Sequence, residues 1–238
     1  GAATEHTGDA WWIPTMHMPM PRASNFEEIH QAAFDVGRPH SVCVNRNGDR
    51  FVDEACGYDE FGEAMVADQL KTGANTPCWL VFDATFRKNY TAGGFMPTAL
   101  MPDWRIPADY WDHYIFRADS LAALAAKIQV PLDALRQTVV NINRYARSGE
   151  DPEFGRGGNA YDRMFGDPGV TPNPCLGAIE TAPYYAVPIN LGDLGTKGGL
   201  KADASARVLD QGGQPIPNLY VAGNNSGSPF GNLYPGAG

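Results

Sequence analysis

Glycine and proline interrupt this sequence along its whole length, and they limit the folds open to it. The chain has 27 glycines and 19 prolines among its 238 residues, which implies many turns and long irregular connections. Such connections are common where loops shape a ligand cleft. Because 43% of the residues are hydrophobic and 19% are charged, the chain can still bury a core. Its length predicts one or two domains.

Charge and hydropathy exclude two classes of partner. The formal net charge of −9 argues against a nucleic-acid backbone or an anionic membrane surface as the partner. No apolar run approaches the roughly 18–20 residues needed to span a bilayer, and no secretory hydrophobic region opens the chain. We therefore expect no obligate membrane insertion and no nucleic-acid binding.

Cysteine and histidine spacing indicates a reducing compartment and no metal site. The four cysteines are widely spread without a CxxC pair, which favours free thiols over disulfides and a cytoplasmic location. The five histidines show no HxxxH or HxH spacing combined with carboxylates at metal-ligand offsets.

The first half of the chain predicts short elements of both kinds. Residues 1–21 lack helical periodicity and predict extended chain. A hairpin is predicted from Ser41–Val44 through an Asn-Gly turn to Arg50–Val52. Apolar residues at helical spacing predict a helix over Tyr58–Lys71, and Trp79–Asp83 is typical of a buried strand.

The second half continues as helices and then becomes rich in strands. Ser120 is a predicted helix cap, and a second helix is predicted from Pro131 to the stop signal Gly149. Residues 150–180 predict irregular chain ordered by packing. A second hairpin over residues 206–216 and a buried strand over residues 218–223 complete the pattern. The order of elements predicts an α+β fold.

Several segments, taken in order, resemble one family of flavoproteins. Gly192–Leu200 and Leu219–Asn224 are similar to the C-terminal flavin-binding segments of the succinate dehydrogenase/fumarate reductase flavoprotein superfamily. Within it, the Thr-Lys-Gly-Gly-Leu run and the Tyr-Pro-Gly-x-Gly ending resemble the 3-ketosteroid dehydrogenases. Ala10–Pro14 and Asn47–Glu54 also match the family. The resemblance implies that residues 1–190 form a substrate (cap) domain and that residues 191–238 belong to an FAD-binding domain.

The ending of the chain suggests how a carbonyl substrate is activated. Desaturation beside a carbonyl removes a proton and a hydride from adjacent carbons, and the proton becomes acidic only if charge developing on the oxygen is stabilised. Tyr234 supplies a phenol O–H, and Gly238 supplies a backbone N–H without a Cβ. In the family the matching pair holds the 3-keto oxygen. The alternative is that Tyr234 is a packed aromatic residue beside a glycine turn.

The same resemblance implies a general base and flavin contacts. Tyr58 matches the family's base, although it could instead simply begin a helix and pack there. Gly198 and Gly199 would let the backbone lie near the flat ring of FAD. Gly223 and Asn224 match a strand-end contact to the ribityl chain. Read alone, the glycines would mark hairpins and turns.

One expected motif is missing from the sequence. There is no GxGxxG opening a βαβ unit and no acidic residue after it to bind a ribose. We therefore expect a fragment that needs the missing FAD domain of the same polypeptide and binds FAD weakly or not at all alone.

Three functions remain open at this point. The first is an FAD-dependent dehydrogenase acting on CH–CH groups of a small apolar, steroid-like ketone, at either the Δ1 or the Δ4 position. The second is a fumarate reductase or succinate dehydrogenase acting on a dicarboxylate, which would need an arginine clamp that Phe230–Tyr234 does not carry. The third is a non-catalytic ligand-binding module.

Overall fold

The computed structural model describes residues 1–19 and 27–231. Its helices are α1 Tyr58–Thr72, α2 Ala84–Asn89, α3 Leu121–Ile128, α4 Leu132–Ser148 and α5 Ala160–Phe165. Its strands are β1 Thr4–Glu5, β2 Ala10–Pro19, β3 Glu27–Gln31, β4 Ser41–Val44, β5 Cys78–Phe82, β6 Phe116–Ala118, β7 Tyr184–Thr196, β8 Gly199–Leu200, β9 Arg207–Leu209 and β10 Pro215–Tyr220. The predicted mixture of helix and sheet is confirmed.

The chain forms two compact units. The larger unit is Ile13–Gly192, and the smaller unit joins Gly1–Trp12 to the residues from Asp193 onward. The sheet of the larger unit has the strand order β3-β2-β7-β5-β4, with β6 also paired to β7. The pairs β2–β3, β4–β5, β5–β7 and β6–β7 are antiparallel.

Helices cover both faces of this sheet. Successive side chains of a strand point to opposite faces, so neighbouring residues of one strand pack against different helices. On β5, Leu80 and Phe82 belong to the core cluster that also holds buried side chains of α1 and α2, namely Phe61, Met65 and Phe86. Val81 lies between them in sequence and belongs to the other cluster, with side chains of α3 and α4. The larger unit is therefore a helix–sheet–helix arrangement with two hydrophobic cores.

The predicted helices are confirmed, and their ends use the signals read from the sequence. Gly73 ends α1 with a φ of 67°, and its N–H donates to the Gln69 carbonyl. The Ser120 hydroxyl caps α3 by accepting from the Ala123 N–H at 3.2 Å. Gly149 ends α4 with a φ of 82°. A left-handed residue after a helix favours glycine, so these positions were readable locally.

The first predicted hairpin is wrong. The Asn-Gly turn forms, with Gly48 at a φ of 85°, but residues 50–53 are not a strand. β4 pairs instead with β5, with Val42 opposite Val81. The segment after the turn is held by the charged side chains of Arg50 and Glu54, described below, and not by a ladder of backbone hydrogen bonds.

The smaller unit contains the second predicted hairpin. β9 pairs antiparallel with β10 across the turn at residues 210–213, which confirms that prediction. The strand predicted over residues 218–223 is part of β10, which ends at Tyr220, and it is not buried. Leu219 is 40% exposed and Tyr220 is 64% exposed. An apolar run does not by itself determine whether a strand is covered. A second pair, β1 with β8, lies in the same unit.

Candidate functional site

A pocket of about 470 Å³ lies within the smaller unit and brings together most of the predicted flavin contacts. Gly198, Gly199 and Asn224 line it, and Gly223 adjoins Asn224 in the chain. The pocket lies beside β8, at the edge where β1 pairs with it. The other lining residues are Thr4, Thr196, Leu200, Tyr220, Val221 and Asn225.

Gly198, just before β8, and Gly199, the first residue of β8, are required by the packing of the surrounding main chain. A Cβ on Gly198 would lie 2.5 Å from the His6 carbonyl oxygen, and one on Gly199 would overlap the Ser226 backbone. A side chain at either position would have to displace main chain. These glycines were predicted to make room for a flat ring, whereas the space beside their Cα atoms is taken by neighbouring main chain.

The turn after β10 presents the third predicted contact. Gly223 has a φ of 66° with open space around it, and it is the first residue of a short 3-10 turn, Gly223–Asn225. The Ser226 N–H donates to the Gly223 carbonyl at 3.0 Å, which closes the turn. This left-handed glycine directs Asn224 into the pocket lining.

The chemistry of the pocket fits the flavin part of FAD. The lining has three hydroxyl side chains and two amide side chains and contains no carboxylate; they belong to Thr4, Thr196, Tyr220, Asn224 and Asn225. Hydroxyls and amides both donate and accept hydrogen bonds, as the polar ring edge and ribityl chain of a flavin require. The volume lies within the range of about 300–1,000 Å³ usual for ligand pockets.

Tyr58, the predicted base, lies in the larger unit as the first residue of α1. Gly57 precedes it as the helix N-cap residue, and Tyr58 is half-buried. Tyr234 and Gly238, the predicted carbonyl-activating pair, lie outside the described residues. The pairing of these three residues therefore stays a prediction.

A buried ionic network holds the segment that leads into Tyr58. Glu54 accepts from Arg50 Nε at 2.9 Å and from Arg156 Nη1 at 3.1 Å. Its Oε1 also accepts from the Cys43 N–H at 3.1 Å. Arg50 reaches Asp151 at 2.7 Å. The network therefore joins the end of β4, the segment before α1 and the loop after α4.

The charges of this network stabilise one another. Burial raises the pKa of Glu54, but the guanidinium groups of Arg50 and Arg156 outweigh it and hold that pKa below its ordinary value. The same balance, with Arg50 as the partner, lowers the pKa of Asp151. Sequence reasoning found Arg50 and Glu54 through the family motif, but it missed Arg156 and Asp151. Their only local signal is a Gly- and Asp-rich loop.

Asp53 lies in a less favourable setting. Burial, reinforced by the negative charges of Asp162 and Glu54, raises the pKa of Asp53 to about 7, against the opposing effect of its hydrogen bond from the Ala55 N–H. That hydrogen bond measures 2.8 Å. Asp53 is thus a titratable group five residues before Tyr58 that the sequence did not single out.

Three other tyrosines use their hydroxyls within the fold. Tyr90 donates to Asp167 at 2.7 Å, Tyr114 to the Gly93 carbonyl at 3.0 Å, and Tyr185 to Asp103 at 2.6 Å. Burial is the first cause that raises the pKa of each phenol. These contacts assign them structural roles.

The described residues form no metal-ligand cluster, no disulfide among the four cysteines and no membrane-spanning helix. Across residues 1–19 and 27–231, no three or more His, Cys, Asp or Glu side chains converge as a metal site would require. Cys43, Cys56, Cys78 and Cys175 are all free. No helix in the described part of the chain is both long and apolar enough to cross a bilayer.

Comparison with known proteins identifies relatives along the whole chain. The family described as "FAD binding domain" matches residues 1–238. The chain is 41% identical to the 3-oxosteroid 1-dehydrogenase of Mycobacterium tuberculosis over 243 residues, which is 100% of this chain and 41% of that protein. It is 37% identical over 241 residues to the 4-oxocyclohexanecarboxylate 2-dehydrogenase of Sinomonas cyclohexanicum, covering 100% of this chain and 40% of the relative.

A solved structure agrees closely with the fold. The 3-ketosteroid delta1-dehydrogenase of Sterolibacterium denitrificans, solved in complex with 1,4-androstadiene-3,17-dione, superimposes with a TM-score of 0.91 at 43% identity. The match covers 100% of this chain and 41% of that one. The chain thus spans about two fifths of the length of these relatives. The predicted resemblance to 3-ketosteroid dehydrogenases, and FAD as the family's cofactor, are confirmed. The chain belongs to the FAD binding domain family.

Proposed function

We propose that this chain is part of an FAD-dependent dehydrogenase that introduces a double bond next to the carbonyl of a 3-ketosteroid. The observation that carries the proposal is the TM-score of 0.91, over the whole chain, with an enzyme solved with a steroid dienone. The pocket that gathers Gly198, Gly199 and Asn224 supports the flavin part of the proposal.

The proposed chemistry divides between three residues of this chain. The Tyr234 O–H and the Gly238 N–H hold the ketone oxygen and stabilise the negative charge that develops there. Tyr58 takes the proton from a carbon beside the carbonyl. A phenol has an ordinary pKa of about 10, so Tyr58 needs a neighbouring group to act near neutral pH. FAD, when bound, supplies the acceptor for the hydride.

The absence of arginine from Phe230–Tyr234 favours a ketone over a dicarboxylate, and three arginines of the larger unit are already paired within the protein. A dicarboxylate needs arginines that are available to pair with it when it is desolvated. Three arginines of the described chain are almost fully buried, and their main partners are within the protein. Arg50 and Arg156 bind Glu54. Arg87 donates to Asp103 at 3.1 Å and to the Met101 carbonyl at 2.8 Å.

The relatives also bear on the position of desaturation and on the size of the ketone. Two mycobacterial relatives named 3-oxosteroid 1-dehydrogenase are 41% identical to the chain over its whole length, which supports the Δ1 position over the Δ4 position. A second candidate substrate is a small cyclic ketone bearing a carboxylate. It is favoured by the 37% identity to 4-oxocyclohexanecarboxylate 2-dehydrogenase. Both substrates share the ketone that Tyr234 would hold.

Two further parts of the proposal concern the setting of the chain. We expect the pyrophosphate and adenine of FAD to be bound by a GxGxxG segment of the same polypeptide, since this sequence has none. The isolated chain should then bind FAD weakly or not at all, and a yellow purified chain would contradict this. A cytoplasmic location is proposed because the four cysteines are free.

Substitution of the tyrosines in the full-length protein tests the catalytic assignment. Tyr234→Phe removes one donor to the ketone oxygen and should lower the rate of flavin reduction by about 10²–10³-fold. Tyr58→Phe should lower the same rate at least as much, because no base would remain. Tyr184→Phe is the matched control, since among the described residues its hydroxyl donates to the exposed Glu180 carbonyl at 3.4 Å. Unchanged reduction in Tyr58→Phe or Tyr234→Phe would remove that residue from the mechanism.

A further inference from the structure

A fully buried lysine lies next to the pocket that would hold the flavin. Lys197 is 1% exposed and is among the largest fully buried side chains of the described chain. Its neighbours in sequence, Thr196 and Gly198, both line the pocket. Lysine is rarely buried to this degree, because removing an ammonium group from water is costly unless the surroundings compensate.

The main chain at Lys197 is fixed on both sides. Its N–H donates to the Asp9 carbonyl at 3.2 Å, and its carbonyl accepts from the Ser228 N–H at 2.9 Å. Strand and turn segments of the smaller unit therefore hold this residue in place. The side chain therefore leaves the main chain from a fixed position.

The side chain of Lys197 lies against an aromatic ring that approaches the pocket. Its Nζ is 5.6 Å from the centre of the Trp11 ring, within the range of a cation–π contact. The position beside Gly195 where a Cβ would stand is 3.1 Å from Asn224 Nδ2 and 3.4 Å from Trp11 Cδ1. Trp11 thus approaches Asn224, a lining residue, and contacts the ammonium group as well.

We propose that Lys197 sets the electron affinity of the flavin by holding a positive charge close to the pocket. The inference rests on the proposed position of the flavin in this pocket. A charge in a buried setting is weakly screened, and the residues that line the pocket include no carboxylate. A nearby cation favours negative charge on a bound ring system, which makes the oxidised flavin easier to reduce. Lys197 thus acts on the flavin through its charge and has a role different from those proposed for Tyr58 and Tyr234.

The test compares charge removal with charge retention in the full-length holoprotein. Lys197→Met removes the charge and keeps most of the volume, whereas Lys197→Arg keeps the charge. The first readout is the midpoint potential of the bound flavin in a dye-equilibrated reductive titration. The second is the affinity for sulfite, which adds to oxidised flavin and leaves negative charge on the ring. Neither readout uses a steroid, so a wrong substrate assignment would leave the test intact.

The expected results separate a charge effect from a packing effect. Lys197→Met should lower the midpoint potential and weaken sulfite binding about tenfold, as expected for the loss of one weakly screened charge. Lys197→Arg should stay near the parent in both. Lys197→Gln is the second neutral variant if the methionine protein does not fold. Equal values in the parent and the neutral variants would overturn the proposal. So would equal shifts, or equal loss of FAD, in the arginine and neutral variants.

Discussion

Replacing Arg156 by leucine should destabilise the larger unit more than any surface change. The Arg156 side chain is 1% exposed, and its guanidinium donates to the Ser41 carbonyl at 2.9 Å and to the Arg38 carbonyl at 2.7 Å. It also binds Glu54 at 3.1 Å. Leucine would leave two carbonyls without this donor and Glu54 with Arg50 as its one charged partner.

The size of the effect follows from these contacts. Removing one partner of a buried ion pair costs about 3–5 kcal/mol, and an unsatisfied buried carbonyl costs about 1–3 kcal/mol. These costs overlap, so we expect a loss of about 3–5 kcal/mol in the free energy of unfolding. At roughly 2–4 °C per kcal/mol for a domain of this size, the unfolding midpoint should fall by about 6–20 °C.

Thermal and urea unfolding followed by circular dichroism measure this loss. Arg147→Leu is the matched control, because Arg147 pairs with Glu180 at the surface, where the two side chains are 64% and 49% exposed. An exposed pair contributes about 0–1 kcal/mol. If Arg156→Leu cost no more than Arg147→Leu, the buried network would not be what stabilises the segment before Tyr58.

Three further predictions address the smaller unit, the titration of Asp53 and the core. Gly199→Ala should cost about 1–3 kcal/mol, since its methyl group would overlap the Ser226 backbone, whereas Gly8→Ala has open space and should cost little; urea midpoints of the two variants compare them. Folding raises the pKa of Asp53 from 3.8 to about 7, so the contribution of Asp53 to stability falls as pH rises from about 4 to 7. The stability of Asp53→Asn relative to the parent should therefore rise across that pH range, and a difference that does not change with pH would contradict the pKa shift. Ile142→Ala on α4 should cost about 2–5 kcal/mol because Ile142 is 1% exposed, against less than about 0.5 kcal/mol for the 54% exposed Val140→Ala, and similar thermal midpoints in the two variants would place Ile142 outside the core.

Local features of the fold could be predicted from the sequence, because they depend on nearby residues. The end of α4 follows from its apolar periodicity and from Gly149, which takes the left-handed conformation there. The turn at Gly48 is equally local. The pairing of β4 with β5 could not be predicted from local sequence, because it joins segments more than thirty residues apart. Local alternation next to a turn signal pointed to the nearer partner, which was wrong.

In the candidate site, too, local features could be predicted from the sequence and long-range contacts could not. Gly198, Gly199 and Asn224 were readable because the family motif is contiguous, and the structure places all three around one pocket. Arg156 was not readable, because its partner Glu54 lies 102 residues away. β7, a thirteen-residue strand of the sheet, was missed because its run mixes apolar residues with Pro188 and glycines. The contact between Arg156 and Glu54 becomes visible only in the folded chain.

The most direct test of the central claim is flavin reduction by a steroid in the full-length protein. Anaerobic mixing with 4-androstene-3,17-dione should bleach the flavin absorbance and yield 1,4-androstadiene-3,17-dione, the ligand solved with the relative of 43% identity. A protein that binds FAD and is bleached by 4-oxocyclohexanecarboxylate but not by the steroid would support the second candidate substrate. A protein without FAD, or with a flavin that stays oxidised with both ketones, would contradict the account.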